Sequence, residues 1–395
     1  MRIAFYGLSC SGKDYLLSKM PFIEHIKGSE WLNAHSEGRF RELSSDEQDT
    51  LRREFIGYIR SCSDKNVAVD GHYAFPSRGG FDIAFTEADG DCYDVFAYLD
   101  TPSEIIRSRL QESEKNSRYA ELSVEAIESW KQFEIEGLRR ECLERGKEFL
   151  LLDDNIENVC CFIRGLVEGR ILTAPQVAKR SADQILAASG SRRIVLCDGD
   201  KTATASDLTK KVFEYADISA DNNVFNGDKY STYQFWLSHR NIAPVESIRN
   251  SFGTIVKNAD VEDDLLKDLS MIDGFRVVVS AGLEELWKAV ADRTGIFDMA
   301  IGSSIDASSN ISQLAKAFLV RYLHSAGREV IAVGDNVVDY YMLLEADKGY
   351  VVAHKKKNAS LQKLLLNGTV LKQPRSNEIK FDGVAEVNSI HEDIE

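Results

Sequence analysis

The sequence predicts an α/β protein with two doubly wound parallel-sheet domains, the second of which carries a helical cap insert. Short apolar runs alternate with helical stretches almost throughout the 395 residues, a pattern that favours βαβ units. Because domains commonly have roughly 100 to 200 residues, this length suggests two or three of them. Between two sets of strand candidates, residues 169–191 contain Gly169, Pro175 and a Ser-Gly-Ser turn, which flank a short helical patch and favour a linker.

The first domain is expected over residues 1–168. Its strand candidates are short apolar runs: Arg2–Tyr6, Asn66–Val69, Tyr93–Leu99 and Glu148–Leu152. Its helix candidates have the 3.6-residue pattern: Lys13–Lys19, Ser45–Ser61, Pro102–Glu112 and Ser123–Glu144.

The second domain is expected over residues 192–366, followed by an acidic tail over 367–395. Its strand candidates are Arg193–Leu196, Arg276–Val279, Met299–Ile301, Glu329–Val333 and Gly349–Val352. The interval 203–272 is helical in pattern and too long for a βα loop, so it predicts a separate helical cap.

Composition and charge exclude several classes of protein. The chain carries 63 acidic and 48 basic side chains, a formal net charge of -15, which argues against broad polyanion binding. No apolar run approaches the roughly 18 residues needed to span a bilayer, and the N-terminus lacks a signal-peptide pattern. The seven cysteines contain no C-x-x-C pair, which argues against a disulfide framework and a zinc site. We therefore expect a cytoplasmic protein without a membrane partner.

A phosphate-binding loop is predicted at Gly7–Lys13, which has the spacing G-x-x-x-x-G-K between a strand and a helix. Glycines allow backbone N–H groups to surround phosphate oxygens, and Lys13 would reach the β- and γ-phosphates. ATP is thus the expected substrate. The candidate binding residues are Gly7, Ser9, Ser11, Gly12, Lys13 and Asp14.

Asp14 departs from this motif, because Ser or Thr usually follows the lysine and binds Mg²⁺. A carboxylate can ligate Mg²⁺, yet it adds negative charge beside the triphosphate. The Gly-Lys-Asp ending resembles that of phage deoxynucleoside monophosphate kinases and animal phosphomevalonate kinases. Two hypotheses remain open: an active kinase, or a nucleotide-binding sensor that transfers no phosphate.

The first domain resembles the archaeal-type adenylate kinases in the order and spacing of its segments. These segments are Phe40-Arg41-Glu42-Leu43-Ser44-Ser45-Asp46-Glu47-Gln48, Leu51-Arg52, Asn66-Val67-Ala68-Val69-Asp70-Gly71-His72, Pro102-Ser103-Glu104-Ile105-Ile106-Arg107-Ser108-Arg109-Leu110, Asn116-Ser117-Arg118 and Glu121-Leu122-Ser123. The resemblance implies lid arginines at Arg109 and Arg118, and Arg41 or Arg52 on the acceptor phosphate. Asp70, at a strand end, would hold Mg²⁺ directly or through water. Each arginine has the alternative of a solvated helix face.

Three strands of the second domain end in polar side chains. The motifs are Asp198-Gly199-Asp200-Lys201-Thr202, Ser280, and Gly334-Asp335-Asn336-Val337-Val338-Asp339. Open α/β sheets bind ligands at the carboxyl ends of their strands. The pattern resembles the haloacid dehalogenase-like phosphohydrolases, most closely the phosphoserine-phosphatase-like branch.

That resemblance implies a Mg²⁺-dependent phosphatase. Asp198 would attack phosphorus, Asp200 would act as acid and base, and Ser280 would bind the phosphoryl group. Mg²⁺ would be held by Asp198, Asp335 and the backbone carbonyl of Asp200, with Asp339 ligating or orienting. The family's lysine is expected at Lys316, for which a surface position is the alternative. Four cap aromatics would stack on a ring or simply form the cap core: Tyr230, Tyr233, Phe235 and Trp236.

The sequence thus predicts a bifunctional enzyme that joins an ATP-dependent kinase to a phosphatase of small phosphorylated molecules. Polynucleotide kinase-phosphatases share this domain order, so end repair of nucleic acid is an alternative. The acidic balance and the isolated Lys355-Lys356-Lys357 run make a nucleic-acid partner less favoured. A phosphatase regulated by a non-catalytic nucleotide-binding domain is the other alternative.

Overall fold

The computed structural model describes residues 1–62, 65–216, 222–225, 229–240 and 245–352. The chain divides into two compact units, Met1–Arg170 and a second that begins at Ile171. Within the described residues, no helix is both long enough and apolar enough to cross a membrane. The predicted tail and the Lys355-Lys356-Lys357 run lie outside these residues.

The first unit is built on a five-stranded parallel sheet. The strands of the unit are β1 (Arg2–Tyr6), β2 (Glu24–Ile26), β3 (Val67–Asp70), β4 (Ala74–Ser77), β5 (Gly80–Ile83), β6 (Val95–Leu99) and β7 (Glu148–Leu152). The sheet order is β2-β3-β1-β6-β7, and β4 pairs with β5 in a separate antiparallel hairpin. Because β1 lies between β3 and β6, the chain segments that follow these three strands meet at one edge.

Seven helices accompany this sheet: α1 (Lys13–Ser18), α2 (Gly28–His35), α3 (Ser45–Ser61), α4 (Glu87–Cys92), α5 (Ser103–Glu112), α6 (Val124–Arg145) and α7 (Ile156–Val167). Ser44 begins α3 with a capping box to Glu47, which fixes this end of the helix. Every strand and helix predicted for this unit forms within two residues of its expected bounds.

The second unit begins with a helix, α8 (Ala174–Ala188), where a linker was predicted. The short helical patch expected within this stretch is a helix of 15 residues. Pro175 lies in the first turn, where its missing N–H costs no hydrogen bond, and Gln176 caps the Thr173 N–H at 2.9 Å. Five apolar residues of α8 are buried, and the helix packs against the helix over Gln313–Ser325 of the same unit.

Up to residue 352, where the description ends, the sheet of the second unit also has five parallel strands. They are β8 (Arg193–Cys197), β9 (Phe275–Leu283), β10 (Met299–Ser303), β11 (Glu329–Gly334) and β12 (Lys348–Val351). The order is β10-β9-β8-β11-β12, with β8 between β9 and β11. The segments that carry Asp198, Ser280 and Asp335 therefore meet at one edge. The two parallel sheets confirm the predicted fold class.

The described part of the second unit has seven further helices: α9 (Leu208–Tyr215), α10 (Thr232–His239), α11 (Val245–Lys257), α12 (Asp263–Met271), α13 (Glu284–Thr294), α14 (Gln313–Ser325) and α15 (Tyr340–Glu345). The first four, α9 to α12, lie in the interval 203–272 and form the cap. Apolar cap residues such as Phe213 and Leu269 share one buried cluster with Trp287 and Val278 of the sheet domain. The cap is thus packed onto its own domain by burial of apolar surface.

Candidate active sites

The loop between β1 and α1 has the backbone that the phosphate-binding motif requires. Gly7 and Gly12 have φ of 149° and 103°, values that side chains other than glycine rarely tolerate. A Cβ on Gly7 would lie 3.0 Å from Ser11 Oγ and 3.2 Å from the Leu99 carbonyl oxygen. The two glycines therefore allow a tight curl that a bulkier sequence would not form.

Lys13 points back into this loop. Its amine donates to the carbonyl oxygens of Gly7 and Leu8, the second at 3.1 Å. Burial lowers the pKa of Lys13, while the charges of Glu134 and Asp70 oppose this shift. A bound phosphate would replace the two carbonyl oxygens as the partner of the amine.

Ser11 supplies the observation that tests whether the loop fits a phosphate. Its side chain is buried, and Oγ makes no hydrogen bond within the described residues. A buried hydroxyl without a partner costs free energy, which a phosphate oxygen accepting from it would recover. Together with the Lys13 amine, Ser11 gives the loop two donors for phosphate oxygens.

Two elements hold the loop from outside. Thr101 donates to the Ser11 carbonyl oxygen at 2.8 Å. The Arg109 guanidinium donates to the carbonyl oxygens of Cys10 at 3.2 Å and Ser11 at 3.1 Å. The structure thus places the Arg109 guanidinium at the Gly7–Lys13 loop.

The other predicted arginines lie elsewhere. The exposed Arg118 lies over the rings of Tyr119 and Phe75, at 4.5 and 5.8 Å from their centroids. Arg52 pairs with Asp49 at 2.8 Å. The side chain of Arg41 is outside what the structure describes. An acceptor site that uses these arginines needs them to leave their present partners.

The predicted magnesium ligands of the first unit are Asp70 and Asp14. Asp70 ends β3 beside β1 and lies 3.4 Å from His25 Nε2. Burial raises its pKa, but the His25 hydrogen bond and the Lys13 charge outweigh burial and lower the pKa. Asp14 is exposed in the first turn of α1. An ionised carboxylate such as Asp70 suits Mg²⁺.

Glu134 of α6 is a buried acid near this site that sequence reasoning missed. It accepts from the backbone N–H groups of Tyr73 and Ala74 at 3.0 and 2.9 Å. Burial raises its pKa to about 7, although these bonds and the Lys13 charge act in the opposite direction. The available signal was a glutamate in the apolar stripe between Trp130 and Leu138.

In the second unit, three buried carboxylates converge: Asp198 after β8, Asp335 after β11, and Asp339 one turn later. One ligand atom from each lies within 4.8 Å of the others. Gly334 permits this approach, because a Cβ there would lie 2.6 Å from Asp339 Cγ. Hard oxygen ligands in this arrangement are suited to Mg²⁺.

Lys316 of α14 lies among these carboxylates rather than on the surface. Its amine donates to Asp198 Oδ1 at 2.6 Å and to Asp339 Oδ1 at 2.7 Å, and the side chain is 1% exposed. Burial alone would lower its pKa, but the charges of Asp198 and Asp339 raise it. Three ionised carboxylates and one ammonium leave two negative charges, which one Mg²⁺ would neutralise. The residues present therefore fit this ion.

Thr202 was part of the D-x-D-x-T motif, but the sequence did not suggest its role. Its Oγ1 lies 3.2 Å from Asp198 Oδ2 and 3.1 Å from Asp335 Oδ1, and the residue is fully buried. A single hydroxyl thus contacts the carboxylates that follow β8 and β11.

The Asp200 carboxylate is not one of the three that converge, and it binds the first turn of α9 instead. It accepts from Leu208 N at 2.6 Å and from Thr209 Oγ1 at 2.9 Å, and Ser280 Oγ lies 3.4 Å away. Burial and the charges of Asp207 and Asp198 raise its pKa to about 7. A carboxyl group with this pKa can give and take a proton near neutral pH.

Ser280 lies beside Asp200 at the carboxyl-terminal part of β9. Its Oγ accepts from Gly282 N at 2.9 Å, and the residue is 1% exposed. Gly282 was not singled out in the sequence. A Cβ on it would lie 2.0 Å from Thr209 Oγ1 and 2.8 Å from Asp200 Oδ2. Only glycine fits here.

A cavity of about 300 Å³ lies above these residues. Asp198, Asp200 and Ser280 line its floor together with Gly282 and residues of the segment after β11, and cap residues line the remainder. Of the four predicted cap aromatics, Tyr230 and Phe235 line the cavity. Tyr233 and Trp236 are buried and stack on each other with ring centroids 6.1 Å apart, as cap core residues do.

The chain is similar to several known proteins. Residues 21–128 match a family model described as an AAA domain. None of the curated proteins compared with this sequence matches it. Among solved structures, the chain is similar to a phosphoserine phosphatase with a phospho-aspartyl intermediate analogue, at 17% identity over 44% of this chain and 90% of that chain, with a TM-score of 0.35.

Two other solved structures are also similar. A protein from Clostridium acetobutylicum described as a predicted phosphatase shares 20% identity over 44% of this chain and 90% of that chain, with a TM-score of 0.29. The Pnkp1/Rnl/Hen1 RNA repair complex shares 10% identity over 86% of this chain and 91% of that chain, with a TM-score of 0.24. The family match thus lies within the first unit, and phosphoserine phosphatases are among the solved structures to which the chain is similar.

Proposed function

We propose that the second unit is a Mg²⁺-dependent phosphomonoesterase that acts through an aspartyl-phosphate on Asp198. The observation that carries this proposal is the position of Asp198. Its carboxylate lies on the cavity floor, within reach of Asp335 and Asp339, and the Lys316 amine holds one of its oxygens at 2.6 Å. An oriented carboxylate among metal-ligating groups is the arrangement that attack on phosphorus needs.

The chemistry follows from the side chains present. Mg²⁺ held by Asp198, Asp335 and Asp339 would offset the charge of these carboxylates, which would otherwise repel the phosphate. An Asp198 oxygen forms a bond to phosphorus as the bond to the leaving oxygen breaks, and Asp200 gives its proton to that oxygen. Asp200 then takes a proton from water, whose oxygen attacks phosphorus, releasing phosphate and restoring Asp198. Ser280 donates a hydrogen bond to the phosphoryl group.

We further propose that the first unit binds ATP and transfers its γ-phosphoryl group to a small-molecule or nucleotide acceptor. Phosphoryl transfer depends on positioning and charge neutralisation. Lys13, Ser11 and Arg109 supply donors and positive charge at one loop, and Asp70 with Asp14 would hold Mg²⁺ there. These contacts support nucleotide binding, whereas phosphoryl transfer also requires an acceptor site.

A nucleotide-binding sensor is the second candidate for this unit. Two observations favour it: Asp14 takes the place of a metal-binding hydroxyl, and Arg118 lies over Tyr119 and Phe75. ADP formation that depends on an added acceptor would support the kinase. ATP binding without turnover, across a panel of nucleoside monophosphates, would support the sensor.

Two matched variants test both proposals in the full chain. Asp198→Asn keeps the shape of the side chain and should lower turnover of p-nitrophenyl phosphate by at least about a thousandfold, while ATP binding persists. Lys13→Ala should abolish ATP binding and spare this phosphatase turnover. Equal phosphatase rates for Asp198→Asn and the unmodified protein would refute the first proposal.

End repair of nucleic acid is distinguished by the choice of phosphatase substrates. The panel comprises nucleotides, sugar phosphates, phosphoserine and oligonucleotides with a 3′-phosphate. Because the chain is acidic, we expect release from small molecules. Release only from oligonucleotide ends would replace the small-molecule proposal with end repair.

A further inference from the structure

His239, the last residue of α10, is a buried imidazole that the mechanism above does not use. It is 4% exposed and lines the cavity above Asp198. Its Nδ1 lies 3.5 Å from Asn310 Oδ1, and Asn310 Nδ2 donates to the Ala307 carbonyl oxygen at 2.8 Å. A carbonyl only accepts, so this bond fixes the orientation of the amide and turns Oδ1 toward His239. Nδ1 must then carry the hydrogen.

The other ring nitrogen is consequently an acceptor. Burial lowers the pKa of His239 to about 4, which keeps the imidazole neutral at neutral pH. Nε2 makes no hydrogen bond among the residues that the structure describes. A neutral imidazole on the cavity wall therefore offers one acceptor to whatever occupies the cavity.

Aromatic rings form the walls beside this acceptor. Phe213 meets the His239 ring edge-on, with centroids 5.9 Å apart and an interplanar angle of 69°. Phe225 and Tyr230 are stacked at 5.8 Å and 17°, and Phe225 also contacts Phe235 at 5.1 Å. Such rings provide surfaces against which a planar group stacks.

The two ends of the cavity thus differ in chemistry. The floor holds Asp198 and Ser280, where the phosphate would react. The cap end holds the aromatic rings and the His239 acceptor, with the polar side chains of Asp207, Lys210 and Ser238. A volume of about 300 Å³ is near the lower limit for small-molecule pockets, which suits a single small ligand better than a polymer. The net charge of -15 also opposes binding of a polyanion.

We propose that the cap cavity is the leaving-group site for a nucleoside monophosphate, and that His239 Nε2 accepts a hydrogen bond from an N–H or O–H of the nucleoside. The base stacks on the rings of the cap. This inference rests on the proposed phosphatase function. It assigns the substrate class and makes His239 a specificity-determining residue.

The test compares kcat/KM of the full chain, with Mg²⁺, across four kinds of phosphate ester. Adenosine and uridine monophosphates, as 3′ and 5′ isomers, carry a ring and donors. p-Nitrophenyl phosphate has a ring without a donor, and glycerol 3-phosphate has donors without a ring. An oligonucleotide with a 3′-phosphate represents the same leaving group at a strand end. We expect at least one nucleoside monophosphate to exceed glycerol 3-phosphate by about 10- to 100-fold.

Variants separate the acceptor from the rings. His239→Phe keeps a ring and removes Nε2, so the ratio of nucleotide to p-nitrophenyl phosphate kcat/KM should fall by about tenfold. Phe235→Leu should lower the ratio of nucleotide to glycerol 3-phosphate, and it serves where His239→Phe does not fold. Tyr215→Ala is the matched control, because this cap aromatic on α9 is 60% exposed and should leave both ratios unchanged.

Binding provides a readout that is independent of turnover. In the Asp198→Asn background, calorimetric titration with the preferred nucleoside monophosphate should show weaker affinity after His239→Phe, by about the same factor as in kcat/KM. An unchanged affinity in His239→Phe would overturn the role of Nε2.

The outcomes distinguish this inference from the proposed function beneath it. Hydrolysis of p-nitrophenyl phosphate that depends on Asp198, with no preference for nucleotides, would overturn the inference and leave the phosphatase standing. A strong preference for the oligonucleotide would overturn the assignment to free mononucleotides. No Asp198-dependent hydrolysis of any ester would overturn both.

Discussion

At the scale of single residues, the close approach of Gly282 to Asp200 and Thr209 constrains the position of the Asp200 carboxyl group, which is the acid and base of the proposed mechanism. A methyl group at this position would overlap Thr209 Oγ1, which donates to Asp200 at 2.9 Å. Gly282→Ala should therefore displace the Asp200 carboxyl and lower kcat for phosphate esters on the order of a hundredfold. Steady-state kinetics with p-nitrophenyl phosphate measures this loss.

The matched control is Gly253→Ala in cap helix α11, where a Cβ would meet nothing within 4 Å. Alanine favours a helix over glycine, so this variant should keep full turnover and a slightly higher melting temperature. Retained turnover in Gly282→Ala would show that the position of Asp200 does not limit the reaction.

The sequence located some residues of the second site and not others, for a physical reason. Asp198, Ser280 and Asp335 follow apolar strands, and parallel topology alone brings the ends of neighbouring strands together. The roles of Gly282 and His239 depend on distances to residues far away in the chain, at Asp200 and Asn310. The spacing of residues within a sequence motif does not predict such long-range contacts.

At the scale of elements, α6 carries a titrating group into the interior of the first unit. The folded-state pKa of Glu134 is raised to about 7, above its usual value of 4.5. Its stabilising contribution is thus fully present below about pH 4.5 and is lost as the pH rises through about 7. The unfolded chain ionises this group first, so folding becomes less favourable over this window.

Glu134→Gln removes the titration and retains an oxygen for the N–H groups of Tyr73 and Ala74. Between pH 5 and pH 8, the free energy of unfolding of this variant should rise by about 2 kcal/mol relative to the unmodified protein. Urea denaturation at both pH values tests this. Glu136→Gln, on the exposed face of α6, is the control and should show no such change.

Several of the elements that sequence reasoning missed have signals that are short or ambiguous. Strand β2 has three residues, and the β4–β5 hairpin contains Pro76. The sequence assigned the segment of α8 to a linker because glycine and proline, here Gly169 and Pro175, are common in linkers. Proline in a first helical turn starts a helix, whereas the same residue further along would end it. The effect of Pro175 depends on its position relative to the start of the helix, and the sequence alone does not give that start.

At the scale of the whole molecule, the charge balance sets how the chain meets other macromolecules. With a net charge of -15, the protein repels polyanions at long range. We expect affinity for a non-phosphorylated single-stranded oligonucleotide to be weaker than about 10⁻⁴ M at 0.15 M salt. Fluorescence anisotropy with a labelled oligonucleotide measures it. Micromolar binding that weakens with added salt would reveal a basic groove and favour end repair.

The route of the chain through the cap has an evolutionary consequence. The cap segment leaves the sheet directly after Asp200 and rejoins it at β9, before Ser280. Substitutions within α9 to α12 can therefore change the preference for the leaving group of the substrate, while Asp198, Ser280 and Asp335 keep their positions at the edge of the sheet. Proteins descended from a common ancestor with this fold are therefore expected to differ in substrate range mainly through changes in the cap segment, while the proposed catalytic residues stay the same.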